Sequence, residues 1–436
     1  MKKIIAVIIF LFTFSFLQLE SSFAQKELKL ANYHFENFEF SKAIPLYLDA
    51  LYIDTTLEAV EKLAFCYKKT HQYQEALNWY NRALEIPYFS SSSVLYYAEM
   101  LKYHARYNEA IEQFEFYKLY APEKKEELEK EIKSCEYAKQ IEPLKNIKVS
   151  NVKELNTKYS ESGVTMFNNQ LIFSSNRKYG SNQIIDNWTN NYYYKIYASS
   201  FSIEKSIIKY QRPKLFENTN INKGYHNAFP AFDILNNQIY FNRTEFEKNP
   251  NKAYQVKTKE FSNRVQVFKS NSSNGKRWSI PVPLDFNKPQ SYSILHPTVS
   301  PDSKFLIFAS DMPGGYGGYD LYISEILSYD SVSTPVNMGN IINSKGDELF
   351  PCFNSFGDLY FSSNGHLGMG GLDLYVSQYR NYEFGEINHL YPPFNSAQDD
   401  FSIYFLNNKN TGFFCSNRFG GLGEDDIYYF EIISNK

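Results

Sequence analysis

The chain of 436 residues is long for one domain, so two domains are expected, each large enough to bury its own core. Its 45 basic and 48 acidic residues leave a formal net charge of -3, which excludes a global field that would gather nucleic acid or an anionic membrane; a partner must be recognised by local shape. Tyr and Phe number 37 each, an aromatic load that suits stacked repeats and pleated surfaces and excludes a disordered chain.

The first 24 residues read as a secretion signal. Lys2 and Lys3 form a short basic region, an apolar run "IIAVIIFLFTFSFL" follows, and "SFA" ending at Ala24 has the small-residue pattern of a cleavage site, so the mature chain is expected to begin near Gln25. No cysteine lies near that junction, which argues against a lipid anchor, and no later apolar run reaches bilayer length. A periplasmic protein with no direct membrane span is the expectation. Cys66, Cys135, Cys352 and Cys415 lie in helix-like and strand-like contexts and read as buried small hydrophobes. With neither CxxC nor HExxH in the chain, no metal and no cofactor are expected.

Immediately after the signal the sequence repeats. Aligning "FSKAIPLYLDAL", "YQEALNWYNRAL" and "YNEAIEQFEFYK" brings Phe40, Tyr73 and Tyr107 into one column, Ala43, Ala76 and Ala110 into a second, and Tyr47, Tyr80 and Phe114 into a third. Upstream, Ala31, Ala64 and Ala98 keep the same offsets of 33 and 34 residues. This resembles the tetratricopeptide repeat, whose small residues sit where paired helices cross and whose aromatics fill the groove beside them. Residues 25–142 are therefore read as a repeat domain ending in a charged capping helix. The resemblance implies a concave groove for a peptide or helix, and Tyr33, Tyr67 and Tyr97, on the first helix of each pair, are the candidate groove residues.

From about residue 146 to the end, short alternating runs bounded by Gly, Asn, Ser and Pro signal strands. "ASDMPGGYGGYDLYIS", "SSNGHLGMGGLDLYVS" and "CSNRFGGLGEDDIYYF" superpose without a gap, placing Ser310, Ser363 and Ser416 at steps of 53 residues, and likewise Asp320, Asp373 and Asp426. Two more divergent units precede these, with insertions around "IIDNWTNNYYY" and "KNPNKAYQVKTKEF". Four strands per unit is the arithmetic of a β-propeller. "LNTKYSESGV" aligns without a gap on "INSKGDELFP", and the last unit stops after its third strand, so "IKVSNV" is expected to complete the final blade. Five blades are expected, with six as the alternative. The fold class is thus an α + β multidomain protein, an α-helical repeat solenoid followed by a β-propeller.

The glycine-rich loops could hold an ion or a phosphate. "GGLGEDDIY" satisfies a nine-residue calcium repeat, but that fold needs tandem copies nine residues apart, and here the recurrence is 53. The loops lead into strands with no helix N-terminus behind them, which removes the phosphate reading. What remains is a strand-to-strand turn, its glycines supplying positive φ and its Asp and Ser tying the chain by hydrogen bonds. "SSNGKRW" lacks the aspartate of a sialidase-type turn, and no paired acid and nucleophile stands out among repeated carboxylates, so no enzyme is expected.

The repeat "PVNMGNIINSKGDELFPCFNSFGDLYFSSNGHLGMGGLDLY" is similar to the PD40 family, related to WD40 and TolB-like propellers, in Bacteroidetes envelope proteins that combine tetratricopeptide repeats, a propeller and an OmpA-like domain. The resemblance extends to PorE-type components of the type IX secretion and gliding machinery. It implies a periplasmic interaction scaffold with envelope or outer-membrane partners, peripheral to the outer membrane. This chain shows no lipobox and no OmpA-like segment, so peptidoglycan binding through it is not expected. The alternative is a propeller that binds or processes a glycan, its Trp- and Tyr-rich insert stacking on sugar rings.

Overall fold

The computed structural model describes residues 23–180, 183, 185–204, 207–216, 220–244, 264–273, 275–380, 383–406 and 410–433. Most of the signal segment and the whole second insertion lie outside them. The chain divides into two compact units, Met1–Cys135 with Asn182–Tyr192, and Glu136–Ser181 with Tyr193–Lys436.

The first unit is helical. Helices α1 (residues 23–36), α2 (Phe40–Ile53), α3 (Leu57–Lys69), α4 (Tyr73–Leu84), α5 (Ser91–Tyr103) and α6 (Tyr107–Lys118) follow one another as hairpins, and α7 (Lys125–Gln140) comes after a single 3-10 turn. Both alanine columns, Ala31, Ala64, Ala98 and Ala43, Ala76, Ala110, are wholly buried. That is the burial expected where backbones cross too closely for a larger side chain. Tyr47, Tyr80 and Phe114 fill the core beside them.

The turn inside each hairpin repeats without a glycine. Phe38, His71 and Ala105 all sit at left-handed φ, 58°, 59° and 56°. Each time the very next N–H reaches back: Glu39 N to His34 O, Gln72 N to Tyr67 O and Arg106 N to Leu101 O, each 2.9 Å. This is the six-to-one closure of a Schellman cap, held by packing rather than by the residue type at the turn.

The second unit is a five-bladed propeller. Its innermost strands are β2 (Glu161–Phe167), β7 (Asn227–Asp233), β11 (Ile294–Val299), β15 (Glu348–Phe353) and β19 (Asp400–Phe405). These pack side by side in chain order and back from β19 to β2, which closes the ring. Second strands β3 (Gln170–Ser175), β8 (Gln238–Arg243), β12 (Phe305–Ser310), β16 (Leu359–Ser363) and β20 (Thr411–Ser416) pair with them antiparallel. Third strands are β4 (Lys195–Glu204), β9 (Gln266–Asn271), β13 (Asp320–Glu325), β17 (Asp373–Arg380) and β21 (Asp426–Ile432).

Outer strands are short where proline interrupts them, as in β10 (Val282–Pro283) and β14 (Val336–Asn337), and longer in β18 (Glu383–His389). In blade one, β5 (Ile207–Tyr210) and β6 (Lys214–Leu215) both pair with β4. The last blade takes its outer strand from the start of the propeller: β1 (Ile147–Asn151) pairs antiparallel with β21, Asn151 opposite Tyr428. The expected closure by "IKVSNV" is therefore what the structure shows, and the blade number is five.

One asparagine per blade acts as an extra strand residue. The side-chain amides of Asn222, Asn287, Asn343, Asn395 and Asn156 each accept from the N–H and donate to the C=O of one residue, respectively Ile196, Val267, Leu321, Leu374 and Ile427, at 2.7–3.3 Å. Asn156, ahead of blade one in the chain, clamps the third strand of blade five and so seals the closure. We predict that Asn343→Ala, which orphans the buried Leu321 N–H while Met338 N–H still serves Leu321 O, lowers the unfolding free energy by about 1–3 kcal/mol in urea melts. Asn343→Asp keeps the acceptor but turns a carboxylate oxygen towards Leu321 O and Asn337 Oδ1, so its loss at neutral pH should be at least that of Ala; a loss well below that of Ala would mean that the clamp is not the cause.

Candidate functional site

The propeller axis holds the candidate site. Two residues into each innermost strand the ladder to the second strand skips, at Ser162/Thr165, Ala228/Ala231, Leu295/Thr298, Leu349/Cys352 and Phe401/Tyr404. At each bulge one residue turns left-handed: Gly163 at φ 68°, Phe229 at 51°, His296 at 50°, Phe350 at 52° and Ser402 at 55°. Five residues of unlike chemistry thus occupy one backbone position around the axis.

The bulge redirects its N–H sideways to the neighbouring blade. Phe229 N donates to Ser174 Oγ at 2.7 Å, and His296 N to Asn242 Oδ1 at 2.8 Å. The equivalent position in the third blade is Ala309, which offers no acceptor, and there Phe350 N turns to His296 Nδ1 at 3.4 Å.

Side chains of the bulge residues form an aromatic collar. His296 stacks on Phe350 with ring centroids 3.7 Å apart, Phe229 meets both edge-on at 4.5 and 5.4 Å, and Phe350 leans on Phe401 at 4.6 Å. Gly163 completes the collar because nothing larger fits: a Cβ there would lie 2.6 Å from Phe229 Cδ1.

From the collar a cavity of about 230 Å³ runs along the inner strands to the first hairpin turns, reaching Ile234, Pro301 and Ser355. Among the described residues its walls are apolar side chains, prolines, small hydroxyls and the Asn354 amide, with no Asp, Glu, Lys or Arg. The titratable groups lining it are His296, Cys352 and Tyr404, and burial opposes charge on each. The Cys352 thiol is pushed up to about 12, the Tyr404 phenol is raised, and the His296 imidazole is lowered to about 3.

Carboxylates do stand on the inner strands, two residues before the bulges, but each is already spoken for. Glu161 accepts from Thr157 N at 2.6 Å, Ser175 Oγ at 2.6 Å and Arg177 Nη2 at 3.0 Å. Glu348 accepts from Ser344 N at 2.8 Å and Ser363 Oγ at 2.7 Å. Asp400 accepts from Ser396 N at 2.6 Å and pairs with Arg418. All three carboxyl groups are buried, and burial raises them above the ordinary carboxylate range despite these partners.

The repeated aspartates and serines lie where turns need them. Asp373 accepts from Met369 N at 2.8 Å and Gly370 N at 3.1 Å, Asp426 from Gly423 N at 3.2 Å, and Asp320 from Gly317 N at 3.1 Å. Asn337 and Asn151 from the outer strands add a hydrogen bond to Asp320 and Asp426, at 2.8 and 2.7 Å. Ser310 Oγ donates to Ser293 O at 2.7 Å, Ser363 Oγ to Glu348, and Ser416 Oγ accepts from Arg418 N at 3.1 Å.

The glycines of these turns correct the sequence reading. Only Gly314 and Gly420 have positive φ within the three aligned loops. The others are glycine for want of room: a Cβ on Gly315, Gly368 or Gly421 would fall 2.1–2.5 Å from the turn Asp, and one on Gly370 would fall 2.5 Å from Ala397 O of the next connection. Among the described residues, no group of three or more His, Cys, Asp or Glu is placed to hold an ion.

In the helical unit Tyr33 stands 60% exposed, whereas Tyr67 and Tyr97, at 7% and 9%, are part of the core cluster. The three therefore do not share one degree of exposure: one stands open and two are buried. Trp188, the insert residue that invited a sugar, stacks on Phe38 at 5.9 Å, and its indole N–H donates to Lys69 O at 3.1 Å. Its ring is used within the unit.

No protein-family model and no curated protein matches the chain. Solved structures similar to it include a protein from Agrobacterium tumefaciens described as TolB, 12% identical with a TM-score of 0.35, over 62% of this chain and 76% of that one. A glycosyl hydrolase from Bacteroides ovatus is 11% identical with a TM-score of 0.36, over 66% and 90%. The RS223 β-xylosidase is 11% identical with a TM-score of 0.37, over 66% and 96%. At such values these likenesses carry no argument about what this chain binds or does.

Proposed function

We propose that the chain is a non-enzymatic scaffold for protein–protein interaction, exported to the periplasm and peripheral to the outer membrane, where it serves a secretion or gliding assembly. The observation that supports a binding role over a chemical one is the axial cavity, lined among the described residues without a charged side chain while the nearby carboxylates are held by neighbouring hydroxyls, amides and arginines. Glycoside hydrolysis calls for two carboxylic groups facing one bond, one of them free to give a proton. Glu161, Glu348 and Asp400 are engaged by neighbouring hydroxyls, amides and arginines instead. Against the glycan alternative weighs the engagement of one insert ring, Trp188, by Phe38 and Lys69 O.

Affinity purification of the tagged full chain from cross-linked cell envelopes tests this reading. The expected result is one or a few envelope proteins recovered in stoichiometric amount, with no turnover across a panel of aryl glycosides. Recovery of no partner, or steady hydrolysis by purified protein, would overturn it.

A further inference from the structure

The aromatic collar leaves one polar group unmatched. Nδ1 of His296 accepts the Phe350 N–H at 3.4 Å and so carries no proton, and burial keeps the ring neutral, which puts its one proton on Nε2. Among the described residues Nε2–H has no hydrogen-bond partner, although the residue is only 8% exposed and its ring lines the cavity. The donor thus faces the cavity, where an acceptor carried in by an occupant can take the place of water.

We propose that the cavity receives an uncharged, apolar segment of a partner protein, one of whose backbone carbonyls accepts a hydrogen bond from His296 Nε2–H. The proposal rests on the scaffold reading and adds the chemistry of the partner. Three observations favour this occupant. A charged segment would lose its water in a cup that offers no counter-charge, whereas Met166, Phe232 and Ile403 in the walls reward apolar side chains. A volume of about 230 Å³ holds one or two side chains and not a folded element. Apolar surface continues past the mouth: Ile234 is 58% exposed, and Leu235 and Phe356, each next to a lining residue, are 67% and 49% exposed. An occupant that runs on over the rim, as a polypeptide does, uses that surface.

Panning a phage-displayed random heptapeptide library on the immobilised full chain tests the proposal. The expected result is peptides rich in apolar residues and poor in Asp, Glu, Lys and Arg. Their affinity should fall about tenfold in His296→Phe, which keeps the ring and removes the donor, and stay within about threefold in His296→Gln, which restores an N–H. Ile234→Glu, an exposed rim change that leaves the core alone, should also weaken binding about tenfold, and a thermal melt of each variant verifies that it is folded. Charged consensus peptides, an empty selection, affinities indifferent to His296→Phe and Ile234→Glu, or a glycan-array signal lost in His296→Phe would each overturn it. An envelope partner that still binds both variants would leave the scaffold reading standing and remove only this pocket from it.

Discussion

Replacing Arg418 by Ala is expected to lower the unfolding free energy by about 3–5 kcal/mol, the range for stranding a buried charge. The guanidinium sits over the rings of Phe414 and Tyr428, 4.9 and 5.1 Å from their centroids, donates to Ser416 Oγ at 3.0 Å and to Pro393 O at 2.8 Å, and pairs with Asp400, whose side chain has no exposed surface. Alanine removes all of these at once. The deficit should shrink on acidification, and the sign follows from Asp400. Burial already raises its folded pKa above the unfolded value, and loss of Arg418 raises it further. Between the two values the folded state holds the extra proton, so the variant gains stability as pH falls towards the unfolded carboxylate range. Urea melts of the wild type and Arg418→Ala from neutral pH to about pH 4 check it; a deficit that widens on acidification would sink the account.

The same arginine recurs in a way that sequence alignment alone does not single out. Arg177 lies over Phe173 and Tyr197 and pairs with Glu161, and Arg243 lies over Phe241 and Phe268 and donates to Asn227 Oδ1. In blade four His366 takes the place, 2.8 Å from Ile342 O. These cations share a place and no alignment column: Arg177 and Arg418 stand two residues after Ser175 and Ser416, Arg243 stands at the serine's own ladder position, and His366 follows Ser363 by three, whereas the Ser and Asp columns repeat without a gap in the last three blades.

The asparagine clamps are hidden differently. Insertions stretch the spacing between Asn222, Asn287, Asn343 and Asn395, so no single period connects them. The axial collar could not be read at all. Gly, Phe, His, Phe and Ser share a left-handed backbone there, and what repeats is a bulge in the ladder, not a side chain. Fold and blade number were therefore legible from hydrophobic alternation and turn chemistry, while the candidate site was not, because it is built from a conformation that five unlike residues adopt under the same packing. Tyr67 and Tyr97 show the converse: repeat position alone does not tell a groove residue from a core residue.

Acid should destabilise the propeller through His296, the second large effect. Burial lowers its folded pKa to about 3, against 6.5 for an unperturbed imidazole. Below pH 6.5 the unfolded chain takes up a proton that the native collar refuses, so the stabilisation is complete above that value and is lost progressively as pH falls from 6.5 to 3. At about 1.4 kcal/mol per unit over the roughly 3.5 pH units between 6.5 and 3 the whole loss is on the order of 5 kcal/mol, steepest through the middle of that window where the unfolded imidazole is charged and the folded one is not. Protonation would also break the bond from Phe350 N and place a charge between Phe229 and Phe350. His296→Gln keeps an acceptor for that N–H and cannot titrate, so its stability should vary less steeply with pH, by about one proton between pH 6 and pH 4. Denaturant melts across the range, with the wild type and variant side by side, measure the difference in slope. Parallel slopes, or an NMR titration of His296 in the native protein near the unperturbed value, would show that the collar is open to protons and that the imidazole is not held neutral by its burial.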